Sequence, residues 1–168
     1  MRPWIPIFIV AGLVRVLLLA SPLVPRAYAV GGVHIEVEAV ARSLLEGRGY
    51  SDPYAVPTGP TAHPLPIHTG IQALLYLGLG VTPAAAYARC ILGIVSCAAA
   101  FAMLPWLAAE VGLGRRAGAI GGLAAAIMPC QGLSDALGWA SNEAQAAVAL
   151  GVLLVWYLRR WQARALPA

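Results

Sequence analysis

Residues 84–109 read AAAYARCILGIVSCAAAFAMLPWLAA, a run of 26 residues that contains one charged side chain, Arg89. A helix needs roughly 20 apolar residues to cross the hydrocarbon core of a bilayer, so this run is long enough to span it with some tilt. Pro105 predicts a kink or an end of the helix, because proline has no amide hydrogen to donate. The run therefore predicts a membrane-spanning helix.

Four more apolar runs predict further spans. The first contains Arg15, and the second is short and opens with prolines, which a helix tolerates in its first turn. The third is rich in Ala and Gly, as are helices that approach a neighbour closely, and the fourth is closed by Arg159 and Arg160. The runs are residues 4–24, 64–80, 117–138 and 142–158. We therefore predict an all-α fold, a polytopic transmembrane helical bundle of about five spans.

The composition supports a membrane protein and excludes other classes. Hydrophobic residues make up 60% of the chain and charged residues 11%, and the mean hydropathy is +0.76, which is too apolar for a soluble domain. All 11 basic residues are scattered arginines, so no nucleic-acid partner is expected. Cys90, Cys97 and Cys130 lie inside apolar runs without metal-ligand spacing, so no metal, cofactor or disulfide is expected.

A polar island, residues 25–63, interrupts the apolar sequence. It holds four of the seven acidic residues, two of the three histidines and a Gly/Pro-rich segment. It divides the chain into a first transmembrane helix (1–24), an extracytoplasmic loop (25–63) and the remaining transmembrane bundle (64–168). Because loops carry function more often than the elements they connect, we expect the functional site of this chain in the island.

The amino-terminal run also allows a second interpretation, a cleaved signal peptide. The tripeptide Ala-Tyr-Ala at 27–29 has the small-x-small pattern of a cleavage site. Arg15 and the near-full membrane length of the run favour a retained helix. Either interpretation delivers the island across the membrane.

The orientation of the spans stays open in the sequence. Strict alternation of five spans places the island on the same side as Arg115–Arg116 and Arg159–Arg160, which the positive-inside rule assigns to the cytoplasm. Arg2, before the first helix, argues for the opposite side. We therefore expect one of the runs to be re-entrant or not to span.

The island contains a short amphipathic helix. Apolar residues recur at helical spacing from Val37 to Leu45, and the length of this segment suits the membrane surface. On the helical wheel Glu38, Arg42 and Glu46 share one polar face at four-residue spacing. Arg42 is therefore expected to neutralise both carboxylates.

Glu36 lies at the other edge of the apolar stripe, in the first turn of this helix. No local cation is expected beside it. A carboxylate of this kind at the membrane boundary is a candidate general base. It equally suits a favourable interaction with the amino end of the helix dipole.

Hydroxyl and imidazole groups follow the helix. The Pro57–Ala62 turn carries Thr58 and Thr61, which suit either a sugar or phosphate ligand or a turn that returns the chain to the membrane. His63 and His68 flank the start of the second run. A histidine there is either an interfacial hydrogen-bonding group or a substrate contact.

Two segments, EVEAVARSLLEGRGYSDPY (36–54) and TGPTAHPLPIH (58–68), resemble the first extracytoplasmic loop of bacterial GT-C membrane glycosyltransferases. This group is similar to the dolichyl-phosphate-mannose protein mannosyltransferases and the aminoarabinose transferases of lipid A. Its members have an acidic residue shortly after the first transmembrane helix, then an A-R-S-L-x-x-G-x-G-[FY]-S-x-P segment. T-G-P-T-A and P-x-[YH] elements lead into the second helix.

The resemblance implies a transferase of the bacterial inner membrane, with the island outside and a polyprenyl-phosphate sugar as donor. Glu36 matches the loop acid and is expected to take the proton of an acceptor hydroxyl while this hydroxyl attacks the anomeric carbon. The leaving polyprenyl phosphate then needs cations. Arg42 and Arg48 are the nearby candidates. Arg42 also shares the polar face with Glu38 and Glu46, and Arg48 suits an ordinary loop position.

The resemblance also implies substrate-binding residues. Thr58, Thr61, His63 and His68 lie in the matching motifs, but relatives more often carry an aromatic residue at the two histidine positions. Relatives often have an acidic residue at the start of the helix that here begins near Glu143. We therefore include Glu143 among the substrate-binding candidates.

Transferases of this group are much longer than 168 residues. The chain thus resembles their amino-terminal third and is expected to need a missing carboxy-terminal part or a complementing subunit for activity. The alternative is a small non-catalytic membrane protein that binds a lipid or a partner subunit through the island. A transporter fragment would carry polar residues at mid-membrane in several spans, and only Arg15 and Arg89 come close to that.

Overall fold

The computed structural model describes residues 3–22, 35–54, 56–128 and 139–165, without the side chains of 139–143 and 163–165. Within these ranges the chain forms six α-helices and no β-strand, which confirms the all-α prediction. The helices are α1 (Trp4–Leu19), α2 (Ile35–Leu45), α3 (Pro66–Leu79), α4 (Pro83–Glu110), α5 (Arg115–Ile127) and α6 (Trp139–Ala165).

Among the described helices, α4 is the one that is both long and apolar enough to cross a membrane. It has 28 residues and continues through Pro105 to Glu110, so the proline lies inside the helix and does not end it. Helix α1 is apolar but has only 16 residues. A helix long and apolar enough to span a membrane is therefore present where residues 84–109 predict it, whereas the bundle of five spans is not confirmed.

Helix α4 packs against α1, α5 and α6, and α1 also packs against α5. Small residues allow these contacts: Ala11, Ala98 and Ala126, one from each of α1, α4 and α5, form a buried cluster. A Cβ atom built on Gly118 of α5 would meet the Leu104 carbonyl oxygen and would lie 2.6 Å from Pro105 Cα. The backbones of α4 and α5 therefore approach as closely as small residues in membrane helices permit.

Arg15, the charged residue of the first apolar run, is fully buried in α1. Its Nη1 donates to the Ala11 carbonyl (3.0 Å) and to the Ala126 carbonyl (3.2 Å) near the end of α5. Its guanidinium also lies 4.8 Å from the centre of the Phe101 ring. Arginine favours the carboxyl end of a helix because the last carbonyls there have no intrahelical partner. The protein thus shields this charge from the surroundings of the bundle.

Helices α2 and α3 pack together, and α3 also contacts α4 and α6. Helix α2 confirms the predicted amphipathic helix, and Gly47 follows it with a φ of 77°, the left-handed conformation that glycine adopts readily. Helix α3 has 14 residues, beginning at Pro66. At 1.5 Å per residue it is about 21 Å long, which is shorter than the ~30 Å hydrocarbon core.

The two ends of α4 have different surroundings. Near its start, Arg89 contacts Glu38 of α2, and at its last residue Glu110 contacts Arg159 of α6. Arg89 and Glu110 are 21 positions apart, which corresponds to about 30 Å along a helix. We call the end of α4 near Arg89 the polar end. We call the end at Glu110 the cationic end, and Arg115 also lies there.

The two ends of α4 carry different parts of the chain. The island's helix α2 lies at the polar end of α4, whereas Arg159 and the start of α5 lie at the cationic end. Strict alternation of five spans would place these parts at one end, whereas Arg2 argued for the opposite, and the described helices place them at different ends of α4. Helix α3, with 14 residues, packs beside α2 and also contacts α4.

Candidate functional site

Glu36 and Glu38 lie two positions apart on α2 in different environments. Glu38 is buried, 2% exposed, and forms an ion pair with Arg89, which is 3% exposed. Arg42 Nη2 lies farther from Glu38, at 3.6 Å from Oε2. The predicted ion pair of Arg42 with Glu38 is therefore present, but Arg89 of α4 forms a closer pair with the same carboxylate, which the sequence did not predict.

Glu46 also has a partner other than the predicted Arg42. Glu46 pairs with Arg48. Arg48 Nε lies 3.4 Å from Asp52 Oδ2, and its Nη2 donates to Ser43 Oγ at 3.0 Å. Arg48 is thus held between two carboxylates. Arg42 is less engaged: its guanidinium lies 5.9 Å from the centre of the Tyr76 ring.

Glu36 keeps 44% of its side chain exposed and meets a second predicted site residue. Its Oε1 lies 4.0 Å from Nε2 of His63, which becomes a cation when protonated. The His63 ring in turn contacts the Tyr54 ring, with 5.9 Å between ring centres. The loop thus returns His63, a residue distant in the sequence, to the neighbourhood of Glu36.

The loop that presents His63 is shaped by Asp52, which sequence reasoning did not single out. Asp52 has a φ of 55°, and its Oδ1 accepts hydrogen bonds from the amides of Thr58 (2.9 Å) and Gly59 (2.8 Å). Backbone hydrogen bonds from Asp52 N to Gly59 O and from Thr61 N to Tyr50 O, both 3.0 Å, pair the two sides. The signal in the sequence was an Asp-Pro pair followed by a glycine, since Asp side chains bind nearby backbone amides in turns.

The same contacts set the charge of Asp52. The amide hydrogens of Gly59 and Thr58 bind its ionised form and hold the pKa of this carboxyl below its usual value of 3.8. Asp52 is therefore ionised at neutral pH, which suits both its amide contacts and its contact with Arg48.

The hydroxyl groups of Thr58 and Thr61, in the Pro57–Ala62 turn, have different surroundings. Thr61 Oγ1 accepts a hydrogen bond from the His63 amide at 3.1 Å and so helps to place this residue. Thr58 is exposed. The Tyr50 hydroxyl donates to the Pro64 carbonyl at 2.8 Å, which fixes the loop against the start of α3.

A cavity of about 680 Å³ lies between α2 and this loop. Its volume falls within the ~300–1,000 Å³ typical of ligand sites. The polar side chains that line it are Glu38, Arg42, Glu46, Arg48, Asp52 and Tyr54. Tyr54 both lines the cavity and contacts His63, so the Glu36–His63 pair lies beside its rim.

His68, another predicted site residue, does not line this cavity. His68 is 1% exposed, and its Nδ1 donates to Gln145 Oε1 at 3.0 Å, which joins α3 to α6. Glu143 belongs to α6, but its side chain is outside the described residues. The structure thus brings together Glu36 with His63, and Arg42 with Arg48, and keeps His68 apart.

Gln72 is a buried polar residue that sequence reasoning missed. Both its amide oxygen and its amide nitrogen are buried without a hydrogen-bond partner in the part of the chain that the structure describes. It lies four positions after His68 on α3, and the same spacing in the sequence was the available signal.

The described residues contain no group of three His, Cys, Asp or Glu side chains that could hold a metal ion. No protein-family model matches the chain, and no curated protein or solved structure matches it significantly. Function is therefore argued from the geometry of this site.

Proposed function

We propose that the chain is the amino-terminal part of a membrane glycosyltransferase that takes a sugar from a polyprenyl-phosphate donor. The observation that supports this most is the Glu36–His63 pair beside a 680 Å³ cavity lined by Arg42. An inverting displacement at a sugar phosphate needs a base near the acceptor and a cation near the leaving phosphate, and here the base lies beside the cavity and the cation lines it.

The proposal places α4 across the bacterial inner membrane. The distance of about 30 Å between its Arg89 and Glu110 matches the thickness of the hydrocarbon core. Arg115, Arg116 and Arg159 belong to the cationic end, and arginines are enriched on the cytoplasmic side. The polar end, with α2 and its loop, then faces outside.

In the proposed reaction Glu36 accepts the proton of an acceptor hydroxyl. The hydroxyl oxygen forms its new bond to the anomeric carbon as the bond from that carbon to the donor phosphate oxygen breaks. The bonding electrons leave with the polyprenyl phosphate. The proton then leaves Glu36 for solvent, to which 44% of its side chain is exposed.

Arg42 is the cation assigned to the leaving phosphate. It lines the cavity and keeps 43% of its side chain exposed. Arg48 also lines the cavity, but Glu46 and Asp52 already hold it. Moving Arg48 to a phosphate would leave those carboxylates without their cation, so we assign it to loop structure.

The test compares Glu36→Gln with Glu110→Gln, the same chemical change at the cationic end. We would measure sugar transfer from a labelled polyprenyl-phosphate sugar in native membranes, and binding of this donor to the purified chain. Loss of a general base is expected to lower transfer roughly 10²–10⁴-fold, while donor binding and the Glu110→Gln control stay unchanged.

Arg42→Gln supplies the second arm of the same test. Because it removes the cation at the phosphate, donor binding is expected to weaken about tenfold. Transfer that survives Glu36→Gln would remove the base assignment. A wild-type chain that binds no donor would remove the transferase proposal as a whole.

The alternative function, a non-catalytic membrane protein that binds a lipid or partner subunit, has one observation in its favour. Ile35, Tyr54 and Val56 line the same cavity and are 53%, 49% and 63% exposed, which gives it an apolar rim. On this alternative a lipid without a sugar would bind as tightly as the sugar donor, and Glu36→Gln would have no effect.

A further inference from the structure

A second cavity, of about 650 Å³, lies at the cationic end between α1, α4 and the start of α5. One face of α1 and one face of α4 form its walls. Ala102, Met103 and Trp106 recur at helical spacing on α4, and Trp4 and Phe8 do so on α1. The small side chain of Ala102 leaves the floor of this groove open.

Among the described residues that line the groove, Arg115 is the charged one. Arg115, at the start of α5, lines it and is exposed. Glu110 lies nearby in the sequence but is bound by Arg159, through contacts of 2.7 and 3.1 Å from Nη2 and Nε. No other carboxylate of the described ranges pairs with Arg115. The groove therefore offers an apolar interior with an unneutralised guanidinium at its edge.

We infer that this groove binds one acyl chain of an anionic membrane glycerophospholipid, with the lipid phosphate on Arg115. The charge argues for this occupant, because a guanidinium binds a phosphate through paired N–H donors. Trp4 and Trp106 indicate that the groove lies near the membrane surface, because tryptophan rings favour the boundary between hydrocarbon and headgroups. An acidic peptide would match Arg115 but would not fill a groove lined by Phe8 and Met103.

The inference rests on the membrane placement in the proposed function but not on sugar transfer. At the cationic end the groove would open to the cytoplasmic leaflet, whose anionic lipids attract arginine. The site is about 30 Å from the polar end along α4. A bound lipid there would complete the surface between α1 and α4 without contact to Glu36.

The test is native mass spectrometry of the detergent-solubilised full chain with added phosphatidylglycerol or phosphatidylcholine. The wild-type chain is expected to bind one phosphatidylglycerol about fivefold more tightly than phosphatidylcholine, since one arginine supplies the preference. Arg115→Gln is expected to abolish this preference. Arg160→Gln, at the same end but outside the groove, is expected to keep it.

Ala102→Phe is a second variant that fills the groove and is expected to lose both lipids, while its helical circular dichroism stays that of the wild type.

Equal affinity for the two lipids in the wild type would overturn the inference. So would equal loss in the Arg115 and Arg160 variants, or binding of glycerol phosphate without acyl chains as tightly as the lipid. Failure here with donor binding intact would leave the transferase proposal in place. Release of the chain from membranes by carbonate would instead contradict the placement that both share.

Discussion

The two ends of α4 each carry an arginine–carboxylate pair, and the pairs differ in burial. Arg89 and Glu38 at the polar end are 3% and 2% exposed, whereas Arg159 and Glu110 at the cationic end are 60% and 15% exposed. A buried charge that loses its partner is costly, while an exposed pair is screened by water and salt. The buried pair therefore adds to the apolar cluster of Ala41, Tyr76 and Ala85 in holding α2 at the polar end, whereas the exposed pair contributes little at the cationic end.

The largest expected effect comes from removing one partner at the polar end. Arg89→Met leaves Glu38 buried without its main cation, and we expect a loss of about 3–5 kcal/mol in the free energy of unfolding. Denaturant titration of the detergent-solubilised chain measures it. Adding Glu38→Leu should recover most of the loss, because an apolar pair needs no charge compensation. A loss for Arg89→Met below about 1 kcal/mol would show that this pair stabilises the fold no more than an exposed ion pair does.

The second effect concerns packing near the cationic end. In Gly118→Ala the new Cβ would lie 2.6 Å from Pro105 Cα, a backbone atom that can move only with its helix. We expect a loss of about 1–3 kcal/mol, measured by the same titration. Gly121→Ala is the matched control: its Cβ meets nothing within 4 Å, so it should be neutral or stabilising by up to about 1 kcal/mol. Equal effects of the two changes would refute the close approach of α5 to α4.

The smallest effect is expected from the exposed pair. Glu110→Gln removes the carboxylate that Arg159 contacts, and we expect a change of at most about 1 kcal/mol that disappears at high salt. Arg159 keeps its position over the Trp106 ring, 5.5 Å from the ring centre. A loss as large as that of Arg89→Met would show that burial does not distinguish the two ends.

The sequence predicted those parts of the fold that depend on local pattern. The apolar run at 84–109 and the spacing in α2 depend on near neighbours in the chain, and both helices are present. The second run was predicted over 64–80 with prolines in its first turn, and α3 begins two residues later, at Pro66. Local pattern could not show that α3 packs beside α2, because this depends on contacts between distant segments.

The sequence could name candidate residues, although not Asp52 or Gln72, and it could not show how the candidates pair. Glu38 and Arg89 are 51 positions apart, and the helical wheel could offer Glu38 only the cations of its own helix. His68 and Gln145 are 77 positions apart, so the burial of His68 was not visible in the sequence. Glu36 and His63 were both candidates, but only the fold of the intervening loop brings them within 4.0 Å.

The central claim is that the two ends of α4 lie on opposite sides of a membrane, with the polar end outside. Val56→Cys and Leu113→Cys test it most directly, because these positions are 63% and 72% exposed at the two ends. Both would be made in a chain whose Cys90, Cys97 and Cys130 are replaced by alanine, and intact cells would be treated with a membrane-impermeant maleimide. We predict that the cysteine at 56 reacts in intact cells and that the cysteine at 113 reacts only after permeabilisation. Reaction of both in intact cells, or of 113 alone, would contradict the account.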